Sequence, residues 1–316
     1  MQPKLAINIG RLKLKNPVMV ASGTFGYAEE FKDFIDLKQL GAIVTKTITL
    51  APRKGNPPPR TCEAPAGMLN SIGLENPGLD VFLEEKMGYL NNLGVPIIVS
   101  IASECGAEEF LILAKRLDRV KDVAAIELNI SCPNIKGLRV KGKVIRENAE
   151  RLISQDAKAT YQLVKAVRRV TGKTLITKLS PNVTDISEIA LAAEAAGSDC
   201  VALINTLIGM SVDTKTRRPK IAAVTAGLSG PAIRPVAVRM CWEVYQKIKI
   251  PIIGMGGIMD TSSALEFFIA GSSAISVGTA NFINPRATIE IIGGIKEYLR
   301  KENIPDIKKL TGSIKL

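Results

Sequence analysis

The chain has 316 residues, 46% hydrophobic and 4% aromatic, with a net charge of +12. This suits two domains or one α/β barrel of about 250 residues and excludes a disordered chain. So few aromatics disfavour stacking on single-stranded nucleic acid despite the basic charge, and the lack of any apolar run near ~18 residues or of a signal-peptide core predicts a cytoplasmic protein with neither nucleic-acid nor membrane partners.

Taken in chain order, eight apolar runs read as strands: Pro17–Ala21, Ala42–Thr45, Pro96–Ile101, Ala124–Leu128, Thr174–Thr177, Cys200–Ile204, Pro251–Gly254 and Ala274–Val277. Each is read as followed by a helical stretch, among them Val81–Leu90, Ala107–Leu117, Ala157–Val170, Ile186–Ala196, Arg234–Ile248, Thr261–Ala270 and Pro285–Lys301. Continuous apolar strands alternating with amphipathic helices predict a parallel sheet covered by helices. A weak repeat of helix end, Gly, polar link and strand joins Glu194–Asn205 to Phe268–Thr279, with a rougher copy at Leu40–Thr47. Eight such units predict one (β/α)8 TIM barrel domain spanning 1–316. A doubly wound sheet is the alternative, but no Gly-x-Gly-x-x-Gly follows the first strand. Two insertions, 50–77 (Pro- and Gly-rich) and 136–157 (with Lys136, Arg139, Lys141, Lys143 and Arg146), exceed the usual loop of about 2–6 residues and are expected over the C-terminal face of the strands.

The chemistry is expected where the strands end. Glu127-Leu-Asn-Ile-Ser-Cys-Pro-Asn134 leaves the fourth strand at a proline that cannot extend a ladder, which puts Cys132 at the barrel mouth between two amides; taken alone, the thiol would read as a small buried hydrophobe. The chain has no His, so Ser–His and Cys–His pairs and His-ligated metals are excluded, and proton abstraction falls to Cys, Lys, a carboxylate or Tyr. Five scattered cysteines without Cys-x-x-Cys argue against a disulfide framework and against a zinc or iron–sulfur site, so no metal is expected in this chain. The remaining strand ends carry Ser22, Lys46, Ser100, Asn129, Lys178, Asn205 with Thr206, Gly256 with Gly257, and Gly278 with Thr279. Either lysine alone reads as a snorkelling surface residue; two at the ends of strands two and five read as a rim. Glycines after strands seven and eight, with Asp260 or Thr261 to cap the next helix, fit a phosphate held by backbone N–H groups, against the plainer reading of turn glycines.

These residues resemble class 1 dihydroorotate dehydrogenases, specifically the catalytic subunit of the NAD-linked class 1B type. The matching motifs are Ala21-Ser-Gly-Thr-Phe-Gly26, Thr45-Lys-Thr47, Asn70-Ser-Ile-Gly-Leu74, the Cys132 motif, Lys178-Leu-Ser-Pro-Asn182, Ile204-Asn-Thr206, Gly227-Leu-Ser-Gly-Pro-Ala232 and Gly254-Met-Gly-Gly-Ile258, in family order over nearly the whole chain. The resemblance implies FMN-dependent oxidation of dihydroorotate to orotate in pyrimidine synthesis, with Cys132 as the base and Lys178 beside the flavin. It implies substrate contacts from Lys46, Asn70, Ser71, Ile72, Gly73, Leu74, Asn129, Asn205 and Thr206. FMN would be held by Ser22, Lys46, Thr47, Ser100, Asn129, Lys178, Ile204, Gly230, Gly256, Gly257, Gly278 and Thr279. An ordinary thiol has a pKa of about 8.5, so activity is expected to rise with pH. A homodimer core with an electron-transfer subunit carrying FAD and [2Fe–2S], a heterotetramer that delivers electrons to NAD, is also implied.

Two departures from the family pattern stand out. Ser100 occupies a position that is usually Asn, and the segment after Cys132 is longer and more basic than usual, though it is expected to close over substrate. Competing readings are a dihydropyrimidine dehydrogenase-like flavoenzyme, whose substrate lacks the carboxylate, a barrel aldolase or isomerase using Lys46 or Lys178 as a Schiff base, and an inactive scaffold, which the intact Cys132 and Lys178 argue against.

Overall fold

A computed structural model describes residues 2–103, 105–131, 138–140, 143–146 and 153–316. Eight parallel strands close into a barrel: β1 (Val18–Val20), β2 (Ala42–Val44), β3 (Ile97–Ile101), β4 (Val123–Asn129), β5 (Thr174–Lys178), β6 (Cys200–Leu203), β7 (Ile252–Gly254) and β8 (Ala274–Val277). Each predicted strand is present to within a residue at either end. Their continuous apolar character follows from burial on both faces, by the helices outside and by the filled barrel inside; every residue of β1, β2, β3 and β5 to β8 is buried.

The first β/α unit differs from expectation. Between β1 and β2 the chain makes only two short 3-10 turns, Glu29–Phe31 and Leu37–Gln39, in place of an α-helix. Gly23 and Gly26 both adopt positive φ there, a conformation that breaks helical propagation. The other units carry helices at Ala107–Asp118, Ala157–Arg168, Ile186–Ala195, Arg234–Tyr245, Thr261–Ile269 and Ala287–Lys301, while the stretch after β2 runs as Leu79–Val81, a π turn at Phe82–Lys86, and Met87–Asn91. Asp156, Asp185 and Asp260 cap three of these helices, each accepting a backbone N–H in the first turn.

The sequence repeat has a physical basis. After the helices ending at Ala195 and Ile269, Gly197 (φ 96°) and Gly271 (φ 120°) turn the chain, and the next N–H groups reach back from Ser198 to Ala193 O (3.0 Å) and from Ser272 to Phe267 O (2.8 Å). This is the Schellman closure, which requires a left-handed residue and so selects glycine. Gly41, in the rougher third copy, follows a 3-10 turn and has no positive φ.

An N-terminal hairpin, Ile7–Ile9 with Leu12–Leu14, lies against the start of β5, where Arg11 N–H donates to Thr174 Oγ1 (3.2 Å). At the opposite end, the insertion after β2 is a hairpin, Thr61–Ala64 with Gly67–Asn70. It pairs with Ala226–Ser229, itself paired to Leu207–Gly209, to make a four-stranded antiparallel sheet over the strand ends. Residues 207–229 thus form a third insertion that periodicity does not reveal. In the segment after β4, Leu138–Val140 and Lys143–Arg146 pair as a hairpin where a plain loop was expected.

Candidate functional site at the C-terminal end of the barrel

The C-terminal strand ends gather most of the polar residues singled out in the sequence. Lys178 closes β5 in register with Asn129 at the end of β4, so both side chains rise from neighbouring strands on the same face. Lys178 is only 4% exposed, and its Nζ donates to Ser22 Oγ (3.1 Å), just beyond β1 across the barrel. A buried ammonium is tolerated only with acceptors or counter-charge, so its placement defines a polar centre in an apolar barrel.

Next to it runs a relay of short polar side chains. Asn205 Nδ2 reaches towards Asn129 Oδ1 (3.5 Å), Asn129 Nδ2 donates to Thr47 Oγ1 (3.2 Å), and Thr47 Oγ1 shares a hydrogen with Ser100 Oγ (2.9 Å). Four strand ends are thereby tied together. Ser100 lies one residue inside β3 and is fully buried, with its hydroxyl committed to Thr47, so it acts as the terminus of the relay and does not stand free at the rim. Lys46 is half-buried beside Thr47, and its Nζ has no acceptor among the described residues.

The predicted segment 70–74 is braced from several sides. Asn56 Nδ2 donates to Ser71 O (3.1 Å) and Oγ (2.8 Å), Arg53 Nε to Gly73 O (3.0 Å) and Asn76 Nδ2 to Leu74 O (2.7 Å), while Asn56 N–H donates to Ile72 O (2.9 Å). Gly73 and Leu74 both take positive φ. Asn70 pairs in register with Gly227, and a Cβ at Gly227 would overlap Thr206. Gly227 therefore lets the Asn70 strand and the 205–206 turn approach, which brings together two stretches far apart in sequence.

Asn182 is a residue that sequence reasoning left without a role. Its Nδ2 donates to Thr206 O (3.0 Å) and Ser180 Oγ (3.1 Å), its Oδ1 accepts from Ile208 N–H (2.9 Å), and its carbonyl accepts from Gln155 Nε2 (2.7 Å). One amide clamps the turn that carries Asn205 and Thr206. Its place in Lys178-Leu-Ser-Pro-Asn182, straight after a rim lysine and a proline, was the available signal.

Beyond β7 and β8 the chain is shaped by glycine. Gly256 and Gly257 have φ of 127° and 72°; a Cβ at Gly256 would lie 2.9 Å from Ala237 Cβ, and one at Gly257 would lie 2.7 Å from Gly230 O. Gly230 (φ 98°) packs on Gly67, and Thr279 Oγ1 donates to Ser229 Oγ (2.9 Å). The N–H groups of Gly256, Gly257, Gly278 and Thr279 have no acceptor among the described residues. Four backbone donors are thus left unspent on the turns that follow two neighbouring strands. Ile204 follows a cis peptide at the end of β6 and packs against Gly256.

Cys132 and Asn134, with the basic residues Lys136 and Lys141 and the expected closure of their segment, lie outside the described residues, as do the side chains of Arg139, Lys143 and Arg146. Of the other thiols, Cys200 and Cys241 are buried within the barrel wall. Burial pushes the Cys241 thiol up to about 12 and raises Cys200 well above its ordinary range, so neither supplies a thiolate near neutrality. Exposed Cys105 is raised too, chiefly by the charge of Glu109.

Fold and rim together define a class: a parallel barrel with a buried lysine, an amide relay and glycine turns with free backbone donors at the C-terminal ends of its strands. Residues 4–299 match the family model described as dihydroorotate dehydrogenase, and the chain belongs to that family. Among its relatives, "Dihydroorotate dehydrogenase B (NAD(+)), catalytic subunit" from Geotalea daltonii is 50% identical over 315 residues, covering 100% of this chain and 99% of that protein. Proteins of the same description from Thermoanaerobacter pseudethanolicus (50% over 312 residues, 99% of each chain) and Desulforamulus reducens (50% over 316 residues, 100% of each) are similar along their whole length. Among the described residues, no helix is long and apolar enough to cross a membrane.

Proposed function

We propose that the chain is the catalytic subunit of an NAD-linked dihydroorotate dehydrogenase, oxidising dihydroorotate to orotate in pyrimidine synthesis with FMN bound at the barrel mouth. The observation that carries this reading is the pairing, at one barrel end, of a buried ammonium at Lys178 with a glycine cradle of four unspent N–H donors. The donors suit the doubly charged phosphate of a mononucleotide, and the collisions a Cβ would make at Gly256 and Gly257 explain the glycines there. Gly230, Gly256, Gly257, Gly278 and Thr279 would hold the phosphate, and Ser22, Lys46, Thr47, Asn129, Lys178 and Ile204 would hold the ring system, with Ser100 acting behind them through Thr47.

Bound FMN supplies a two-electron acceptor for the hydride that leaves C6 of dihydroorotate. The chain's own residues do the rest. The thiolate of Cys132 removes the proton from C5. Asn129 and Asn205, linked to Thr47 and Ser100, present oriented amide edges to a planar, amide-like ring, and with Thr206 and the braced 70–74 segment they form the substrate pocket. Lys46, with no partner among the described residues, offers its charge to the substrate carboxylate. Because the relay and brace are formed before substrate arrives, little reorganisation is required on binding. Overall, dihydroorotate and NAD+ give orotate, NADH and one proton. Electrons would leave through a partner subunit carrying FAD and [2Fe–2S], on a homodimer of this chain, in the cytoplasm.

The test is the visible spectrum of the purified protein followed by anaerobic addition of dihydroorotate. A yellow protein that bleaches is expected. A colourless protein, or one bleached equally by dihydrouracil, would overturn the reading.

A further inference from the structure

One charged side chain inside the barrel is used by none of the chemistry above. Glu127 stands two residues before Asn129 on β4, so it shares the inward face of that strand. It is 2% exposed, and its Oε1 has no hydrogen-bond partner among the described residues. Register fixes its surroundings. Glu127 pairs with Ser100 on β3 and with Ile176 on β5, and Ile176 pairs in turn with Cys200 on β6. These side chains face the axis one layer beneath Asn129 and Lys178. The Cys200 thiol senses the same proximity: burial raises it most, and the negative charges of Asp199 and Glu127 add to the rise.

A second orphaned polar atom shares this interior. Ser276 lies on β8, diametrically opposite β4 in the closed strand order, and its buried Oγ has no partner among the described residues. It is two residues beyond Ala274, which pairs with Ile253, itself paired with Ala202 beside Lys178, so Ser276 also points inward. Ala125, Ala202 and Ala274 take inward positions that barrels commonly fill with bulky branched side chains. Room for water is left between polar walls.

Above this layer, Lys178 Nζ crosses the mouth from β5 to Ser22, beyond the opposite strand β1. The ammonium therefore sits near the axis, over Glu127, with a neutral hydroxyl taking one of its three N–H groups. A buried cation so placed calls for a counter-charge. Strands β1, β3, β7 and β8 carry no charged residue. Lys46, at the end of β2, is cationic; Asp199, below β6, is held by Arg168 at 2.8 Å; Glu63, in the sheet over the mouth, is exposed. Glu127 is the one carboxylate facing that space among the described residues. Two residues of strand separate it from the Lys178 level, about 7 Å, the span of a bridging water.

We propose that Glu127 is the counter-charge of Lys178, joined to it through water enclosed in the barrel and anchored on Ser276, and that it keeps Lys178 an ammonium in both redox states of the flavin. Glu127 is a positioning residue, which touches neither substrate nor flavin and acts through Lys178. The inference rests on the reading that FMN occupies the barrel mouth. With Glu127 ionised, Lys178 already carries its proton when the ring gains negative charge, so no proton has to reach the interior during reduction. Without that charge, burial favours the neutral amine, and Lys178 takes a proton from solvent as the ring is reduced.

The test is the flavin midpoint potential of the FMN-loaded chain between about pH 6 and pH 9, in wild type, Glu127→Gln and the double variant Glu127→Gln/Lys178→Met. Glutamine keeps the shape of the side chain and removes its charge. In Glu127→Gln the potential should fall more steeply with pH than in wild type, by about 30 mV per pH unit, which is one additional proton per two electrons. The double variant should return to the wild-type slope. Equal slopes in wild type and Glu127→Gln would overturn the proposal, as would a steep slope that survives in the double variant. Should Glu127→Gln fail to fold, a high-resolution crystal structure of the wild type decides. Water on Glu127 Oε1 and Ser276 Oγ, continuing to Lys178 Nζ, is expected there, and a dry interior would overturn the proposal. Failure of the underlying reading looks different: wild type itself would carry no flavin to titrate.

Discussion

The two ends of the site are built by different means. The floor, from β4 to β8, is held by barrel register: Lys178 faces Asn129 because their strands are locked over several residues in which a one-residue slip would turn every side chain to the other surface. The roof, made from 50–77 and 207–229, is held by single side-chain amides, Asn56, Asn76 and Asn182, acting on loop backbone. A register shared by eight strands resists one substitution, whereas an amide clamp is lost with it. The floor should therefore govern the chemical step and cofactor retention, and the roof substrate affinity.

The largest effect is expected at the proposed base. Cys132→Ser should lower turnover by about 10²–10⁴ at neutral pH, the usual worth of a positioned acid or base, with partial recovery as pH rises. Wild-type turnover of this variant at pH 7 would remove Cys132 from the mechanism. Since burial holds Cys200 and Cys241 in the thiol form through this range, a pH-dependent step near 8.5 in the wild type belongs elsewhere, and it should vanish in Cys132→Ser.

Lys178→Ala should slow flavin reduction by about 10²–10³, comparable to loss of one preorganised charge-stabilising donor, read by stopped-flow absorbance. Retention of the full rate would contradict the buried centre. The cradle offers a sharper contrast between neighbours. Gly257→Ala, at φ 72° and 2.7 Å from Gly230 O, should purify with much less flavin, whereas Gly278→Ala, where the new Cβ would meet only ordinary contacts at 3.6 and 3.7 Å, should retain it. Equal flavin content in the two would show that backbone approach is not what the glycines serve.

In the roof, Asn182→Ala should raise the KM for dihydroorotate about tenfold, roughly the worth of one or two hydrogen bonds, with flavin content and the rate at saturation little changed. A fall in flavin content instead would assign the residue to the floor. The smallest effect is Asp260→Ala, which removes an N-cap and should cost about 1 kcal/mol. The Ser263 N–H lowers the Asp260 carboxyl below its ordinary value, so this contribution is complete above the unfolded carboxylate's pKa and fades as pH falls through the folded one. The two proteins should converge in stability in acid, which thermal melts at pH 7 and pH 3 would reveal.

The same division explains what could be read from the sequence. Barrel strands are apolar runs bounded by turns, so their number and ends are legible, as is the placement of Lys178, Asn129 and the glycines at the C-terminal rim, the end where a barrel puts its chemistry. The short strands over the mouth, such as Leu207–Gly209 and Ala226–Ser229, are half-exposed and stabilised by partners far along the chain, which no local period encodes. Ser100 illustrates the limit: its place in an apolar run marked it as polar and near the mouth, but its commitment to Thr47 depends on a chain segment 53 residues away. Asn182 was visible within a motif, while its role depends on the turn it clamps at 206–208.

The central claim is that the cradle after β7 and β8 and the ammonium of Lys178 serve opposite ends of one bound mononucleotide, with substrate stacked upon its ring. A crystal structure of the FMN-loaded chain with orotate tests this most directly. The expected result places phosphate oxygens on the N–H groups of Gly257, Gly278 and Thr279, the ring within hydrogen-bond reach of Lys178, and orotate between that ring and Cys132. Phosphate bound elsewhere, or Lys178 still donating only to Ser22 with no ring beside it, would contradict the account.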